Sequence, residues 1–310
     1  MDFAKKGESL NSIYLSVVIP TYNRSRILEK VLLAIYNQDY PSSSYEVIVV
    51  DDGSTDDTPE VIKSLNLPSS CIYIKLEKSG SARARNEGIR KAKAETIIFI
   101  DSDLIVIPSF LKEHIRFQKM YDKVIVRGPV IHTYNLENPF STSKKITDMS
   151  RAFFATGNTS IKKKYLIRAG LFDEDFTEYG WEDLEIGIRL KKLGLRVMDN
   201  PGAIGYHYQK RFSLEDFPAR EKRERNRATG AVIFCKKHPS LEVRWMTQNL
   251  PIFFLLERAC FILNFLLPSK EKIASFLIRY KKDLLLTLFL NLYFYLLYLR
   301  YLYQERKKLI

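Results

Sequence analysis

The chain has 310 residues, of which 46% are hydrophobic and 27% charged; that is enough apolar content to bury a core and too much for a disordered chain. Its 49 lysines and arginines against 36 acidic residues leave a net charge of +13, which calls for a polyanionic partner: nucleic acid, an anionic membrane face or a phosphate-bearing ligand. Glycines without a G-x-y period exclude a collagen-like chain, and no segment repeats at a spacing of about 20 to 50 residues, which argues against solenoids and propellers.

Cys71, Cys235 and Cys260 are too scattered for a disulfide framework or a zinc cluster, so the chain reads as intracellular. The apolar run from Ile13 to Pro20 is short and lacks a small-residue cleavage site, so no signal peptide is expected.

Tyr14 to Ile19 forms the first β-branched apolar run, and the same pattern returns at Tyr45 to Val50, Cys71 to Leu76 and Thr96 to Ile100. These predict buried strands. Between them, Ile27, Val31, Leu32 and Ile35, then Val61, Ile62 and Leu65, then Ala82, Ala84, Ile89 and Ala92 recur at helical spacing. Alternating strands and helices predict a doubly wound α/β sheet with parallel pairing. The polar residues Thr21 to Asn23, Asp51 to Ser54 and Asp101 to Asp103 follow three of the strands, and ligands of open α/β sheets bind outside such strand ends.

From about Tyr121 the pattern loosens into mixed strand and loop, until Leu184, Ile188 and Leu190 predict a helix over Glu182 to Leu193, closed by Gly194. Lys210 to Arg227 holds seven basic and four acidic residues and reads as a solvated helix face. Two apolar segments follow, Leu250 to Leu267 and Leu284 to Leu299, joined by Pro268 to Asp283. The second has sixteen residues, short of the roughly 20 that span a bilayer. Its lysine, arginine and tyrosine flanks predict a segment at a membrane interface, against the alternative of helices packing on the core or on a second subunit.

Asp101 and Asp103 flank one residue directly after a buried strand. Two carboxylates there suit a hard divalent cation that bridges diphosphate oxygens. Tyr22 offers a planar face for a base, and Asp52 an acceptor for a ring N–H. Ordinary turn chemistry accounts for part of Asp51 to Asp56, with Ser54 or Thr55 placed to cap the next helix.

These residues resemble a known family. Ser16-Val-Val-Ile-Pro-Thr-Tyr-Asn23, Val49-Val-Asp-Asp-Gly-Ser-Thr-Asp56, Ala84-Arg-Asn-Glu-Gly-Ile89 and Phe99-Ile-Asp-Ser-Asp103 look like the nucleotide-sugar domain of inverting family 2 glycosyltransferases. Gly180-Trp-Glu-Asp-Leu-Glu185 and Tyr206-His-Tyr208 look like the acceptor and metal elements of galactosyltransferase-like relatives. The resemblance implies an α/β GT-A fold: a Rossmann-like nucleotide-sugar half over 13–127, a mixed acceptor half over 128–240, and C-terminal apolar helices in a membrane-associated tail over 241–310. It implies that Pro20, Tyr22, Asp52 and Lys78 face the donor nucleotide, and that Asp101 and Lys210 meet its diphosphate. Asp101, Asp103 and His207 would hold Mn2+ or Mg2+. Asp183 would be the base that takes the acceptor's proton, with Trp181 stacking on a sugar and Glu182 beside it. One departure concerns the metal: the histidine stands in Tyr-His-Tyr-Gln-Lys, where some relatives carry paired histidines.

The expected function is therefore metal-dependent, inverting transfer from a nucleotide-diphosphate sugar, with UDP as the nucleotide, to a carbohydrate or lipid-linked acceptor. It is placed in the cytoplasm, peripheral or monotopic at the anionic inner face of the cell membrane. A nucleotidyltransferase would open with a glycine-rich basic loop where Pro20-Thr-Tyr-Asn23 stands. A nucleic-acid-binding protein would interleave aromatic and basic residues on one face, and no such motif is present, so nucleic acid is not an expected partner.

Overall fold

The computed structural model describes residues 14–68, 70–143, 145, 149–150, 152–178, 180–255, 258 and 269–308. Contacts divide the chain into two compact units, Met1–Thr177 with Glu182–Lys210, and Glu178–Trp181 with Arg211–Ile310. The boundary expected near 240 thus falls inside the second unit.

The first unit is an α/β layered structure. Its main sheet has seven strands in the order β3-β2-β1-β4-β8-β6-β9, formed by β1 Leu15–Thr21, β2 Tyr45–Asp51, β3 Cys71–Lys75, β4 Thr96–Ile100, β6 Val124–Arg127, β8 Asn158–Lys162 and β9 Arg196–Asp199. Strands β1 to β4 pair in parallel, as the alternation of apolar runs and helices predicts, whereas β8 runs antiparallel to both β4 and β6. Leu15, Val17, Val18 and Ile19 are all fully buried because helices cover both faces, which is why β1 reads as one continuous apolar run.

On one face α1 (Ser25–Tyr36) lays down Ile27, Leu28, Val31, Leu32 and Ile35, joined by Phe110 and Leu111 of α4 (Phe110–Met120). On the other lie α3 (Ser81–Lys91), α5 (Lys163–Arg168) and α6 (Glu182–Lys192). Each fully buried aliphatic side chain contributes about 1.5–3 kcal/mol relative to an exposed one. A Cβ on Gly88 would lie 2.4 Å from Val18 Cγ1, so glycine is what lets α3 sit close on β1. Helix α2 (Thr58–Ser64) follows β2. A second, three-stranded sheet carries β10 (Gly205–Tyr208) between β5 (Leu104–Val106), antiparallel to it, and β7 (Val130–Thr133), parallel to it.

The second unit is helical: α7 Phe217–Lys237, α8 Leu241–Met246, α9 Lys270–Arg279 and α10 Asp283–Lys307. The charge-dense segment becomes the start of α7, largely exposed. Most of the apolar run 250–267 lies outside the described residues. The stretch taken as a linker, Pro268 to Asp283, contains helix α9: Ser269 caps it, accepting from the Lys272 N–H, and Ile273, Ala274 and Leu277 give it an inner face. Phe217, Ala274, Leu290 and Phe294 form a buried cluster joining α7, α9 and α10.

Candidate active site

Parallel pairing of β2, β1 and β4 brings the polar residues after them to one edge of the sheet. Two of the loops are bonded together. The Asn23 N–H donates to Ser54 Oγ at 2.8 Å, and the Thr55 N–H donates to Asn23 Oδ1 at 2.8 Å. Asn23 adopts φ 52°, a left-handed conformation that asparagine tolerates. Ser54 and Thr55 therefore serve the loop. They do not cap α2, whose first turn is bound by Asp56 through Thr58.

The two aspartates after β2 divide their work. Asp51 accepts from the Ser54 N–H at 2.7 Å and from the Tyr73 hydroxyl at 2.6 Å, which fixes the turn. Asp52 accepts from the Lys78 ammonium at 2.6 Å and from the N–H groups of Ser79 and Gly80 at 2.7 and 3.0 Å. The same ammonium lies 3.5 Å from the centroid of the Tyr22 ring, itself 42% exposed. Tyr22, Asp52 and Lys78 thus form one group, while Pro20 stays within β1, half-buried, and Lys210 is exposed just past β10.

Asp101, Asp103 and His207 each offer a ligand atom, and these atoms lie within 4.8 Å of one another. The register of β10 against β5 sets His207 opposite Leu104, next to Asp103. His207 Nε2 is 3.0 Å from one carboxylate oxygen of Asp103, and Arg24 Nη1 is 3.0 Å from the other. Burial disfavours charge on Asp103, yet the His207 hydrogen bond and the Arg24 charge outweigh it and hold the carboxyl below its usual range. Burial opposes protonation of His207, but Asp103 and Asp101 raise its pKa. Desolvation lifts the pKa of Asp101, against Arg85 and reinforced by Asp103. A Cβ on Gly157 would come within 2.9 Å of Asp101 Oδ2, so a glycine keeps that oxygen clear. Two hard carboxylates and one imidazole converging on one point suit Mn2+ or Mg2+.

Helix α6 opens with Glu182 and Asp183. Glu182 is 6% exposed; its Oε1 accepts from Ser81 Oγ at 2.8 Å and from Arg85 Nη1 at 3.0 Å. Arg85 Nη2 lies 3.8 Å from Asp101 Oδ1, so one buried guanidinium joins Asp101 to the start of α6. Arg85 Nε and Glu182 Oε2 are buried with no hydrogen-bond partner. Removing one member of such a pair typically costs about 3–5 kcal/mol. Asp183 accepts from the Leu184 N–H at 2.8 Å. Burial, with the Glu182 carboxylate beside it, pushes its pKa up to about 7, placing a carboxyl where it exchanges a proton near neutrality.

Trp181 sits differently from the expected sugar platform. It belongs to the second unit, is 8% exposed, packs on Phe234 and Tyr298, and donates its indole N–H to the Arg227 carbonyl at 2.7 Å. Glu182, expected beside the acceptor, is likewise committed to Ser81 and Arg85.

Four residues of the site were missed from sequence: Arg24, Arg85, His132 and Gln209. Arg85 stood inside the motif Ala84 to Ile89, and its position one helical turn after Ser81 was its only signal. His132 on β7 pairs in register with His207 on β10, and Gln209 Nε2 lies 2.9 Å from His132 Nδ1; nothing local in the sequence reveals that pairing.

Comparison with known proteins agrees with this geometry. Residues 16–172 match the model of glycosyl transferase family 2. The chain is 30% identical over 283 residues to chondroitin synthase of Escherichia coli, covering 77% of this chain and 39% of that protein. It is 27% identical over 253 residues to the uncharacterized glycosyltransferase YfnE of Bacillus subtilis, covering 63% and 64% of the two. It thus spans less than two-thirds of either relative. Among solved structures, the mannosyltransferase PcManGT of Pyrobaculum calidifontis in complex with GDP-Man and Mn2+ is similar at a TM-score of 0.61 and 20% identity, covering 94% of this chain and 86% of that one. TarS 1–349 of S. aureus with UDP-GlcNAc is similar at a TM-score of 0.54 and 20% identity, covering 71% and 66%. The shared architecture is the GT-A fold.

Proposed function

Since the chain belongs to glycosyl transferase family 2, we propose that it moves a sugar, with inversion, from a nucleoside-diphosphate sugar to a hydroxyl of a carbohydrate or lipid-linked acceptor. Tyr22 and Asp52 receive the nucleobase, with Pro20 beneath them and Lys78 beside them. Asp101, Asp103 and His207 would hold Mn2+ or Mg2+, which would supply positive charge to a departing diphosphate, and Lys210 would face the same phosphates. The nucleotide we assign is UDP, the donor in the TarS complex, and PcManGT with GDP-Man is the contrasting case.

Inversion needs a base on the face of the sugar opposite the leaving group. Asp183 fills that role: it takes the acceptor hydroxyl's proton as the oxygen bonds to the anomeric carbon and the bond to the diphosphate breaks. The observation that carries the reading is the convergence of the Asp101, Asp103 and His207 ligand atoms within 4.8 Å, with Arg85 bridging Asp101 to Glu182, the residue before Asp183 at the start of α6. Glu182 and Arg85 position, and Asp183 reacts. The acceptor meets the enzyme at the inner face of the cell membrane, a placement supported by the apolar helix α10 with its basic flanks.

A screen of nucleotide sugars with Mn2+, read by release of nucleoside diphosphate, tests the assignment. Turnover with a UDP-sugar that Asp183→Asn abolishes is the expected result. Absence of turnover with every donor removes the reading.

A further inference from the structure

The two halves of α10 have different surroundings. Its later part is bound by polar groups of its own unit: the Tyr293 hydroxyl donates to Glu221 at 2.7 Å, Arg227 lies 4.0 Å from the centre of the Tyr298 ring, and the Tyr298 hydroxyl donates to the Thr247 carbonyl at 2.6 Å. Glu221 and Arg227 belong to the charged helix α7. For α10 to span a bilayer over Tyr293 to Tyr298, the charges of α7 packed against it would have to enter the hydrocarbon as well, which is costly.

Its first turns are the reverse. Leu284, Leu285, Leu288 and Leu292 are 73%, 52%, 56% and 58% exposed, and they recur at the spacing of one helical face. The end of α9 adds Phe276 and Tyr280, at 58% and 56% exposed, with ring centres 4.6 Å apart. The turn between the helices is Arg279-Tyr-Lys-Lys282, where Lys281 takes φ 51° and the Lys282 N–H returns to the Leu277 carbonyl at 2.9 Å. Arg279, Lys281 and Lys282 are exposed around the apolar side chains; the one acid at the turn, Asp283, is met by Arg211 at 3.7 Å. A corner of leucines and aromatic rings with a collar of three cations matches the layering of a lipid headgroup region, apolar below and anionic above.

We infer that the α9–α10 corner docks on an anionic lipid surface, inserting Phe276, Tyr280, Leu284, Leu285 and Leu288 into one leaflet while Arg279, Lys281 and Lys282 meet the headgroups. The exposed apolar stretch 284–292 covers nine residues, about 13 Å of helix against a hydrocarbon core of about 30 Å. This depth reaches one leaflet only. The inference rests on the membrane placement in the proposed function and is independent of the chemistry given to Asp183.

Flotation of the full chain with phosphatidylcholine vesicles, with and without an equal share of phosphatidylglycerol, tests it. Binding is expected with the anionic vesicles, reduced in part by salt. Lys281→Ala with Lys282→Ala should weaken it roughly 25-fold, at about fivefold per basic residue. Leu284→Ser, Leu285→Ser and Leu288→Ser together should abolish it, with the thermal midpoint unchanged because these leucines are exposed. Tyr280→Trp should be quenched by brominated lipid, a readout that survives if the triple variant misfolds. Release of nucleoside diphosphate by the same preparations separates loss of docking from loss of the glycosyltransferase reading. Three results overturn the inference: no flotation of wild type, retention on membranes through alkaline carbonate, which marks a spanning helix, or a detergent-free dimer that the leucine triple turns into monomer.

Discussion

His132 and His207 face each other across adjacent parallel strands with their Nδ1 atoms 3.2 Å apart. One proton must lie between two such nitrogens. Gln209 Nε2, which only donates, is 2.9 Å from His132 Nδ1. With the amide so assigned, His132 Nδ1 is an acceptor and the shared proton belongs to His207. With Nδ1 committed to His132, Nε2, which here donates to Asp103 at 3.0 Å, is the atom that would ligate a metal once its proton is lost. His132→Phe is therefore expected to weaken Mn2+ binding by about 10- to 100-fold, the usual effect of losing a partner behind a ligand, and His132→Asn to recover part of it. Titration calorimetry with Mn2+ gives both values.

The pH profile of transfer should follow Asp183. A base works in its ionised form, so with its pKa pushed up to about 7, kcat/KM is expected to rise as pH increases through that value and then level. Asp183→Asn should flatten the profile, cut the rate by about 10²- to 10⁴-fold, and leave nucleotide binding intact. Stopped-time assays across the pH range check all three.

Asp103→Ala should abolish metal-dependent binding of nucleoside diphosphate, and its effect on stability should depend on pH. His207 has its pKa raised in the folded protein. The stabilisation from its charged pairing with Asp103 is then complete below the unfolded value of about 6.5 and is lost as pH rises through the folded value. In EDTA, the variant is therefore expected to lose more thermal stability at acidic pH than at alkaline pH, as melting curves at the two extremes would reveal.

Gly157→Ala tests the room around Asp101. The added methyl would stand 2.9 Å from Oδ2, too close for carbon and oxygen, and the carboxylate must turn away. Mn2+ affinity should fall about tenfold while the melting temperature changes by only a few degrees, since an exposed-side adjustment of one carboxylate costs little elsewhere. Mn2+ electron paramagnetic resonance titration measures the first and calorimetry the second.

Much of the first unit was legible because its signals are local. The runs at β1, β2 and β4 each end in polar residues, and parallel pairing follows from the helices between them, so the placement of the three polar loops at one edge of the sheet could be anticipated. Arg24, His132 and Gln209 were hidden because their partners come from strand register, which no short window of sequence contains. The linker expected before α10 proved to be α9, where lysines and glutamate at exposed positions masked an inner face of Ile273, Ala274 and Leu277. The family resemblance made Trp181 a sugar platform, but a buried indole needs a hydrogen-bond partner, and the Arg227 carbonyl provides it.

The ammonium of Lys78, 3.5 Å above the Tyr22 ring and bonded to Asp52, gives nucleotide capture a kinetic shape. A planar base and an ammonium cannot share one face of a phenol ring, so on the proposed assignment of the base to the Tyr22 face that Lys78 covers, the lysine would have to swing off before stacking begins. Association then contains a unimolecular step, and the observed rate in rapid mixing levels off at high nucleotide concentration, at the frequency with which Lys78 departs. Shortening the side chain at that position removes the ceiling, and the observed rate then climbs in proportion to nucleotide.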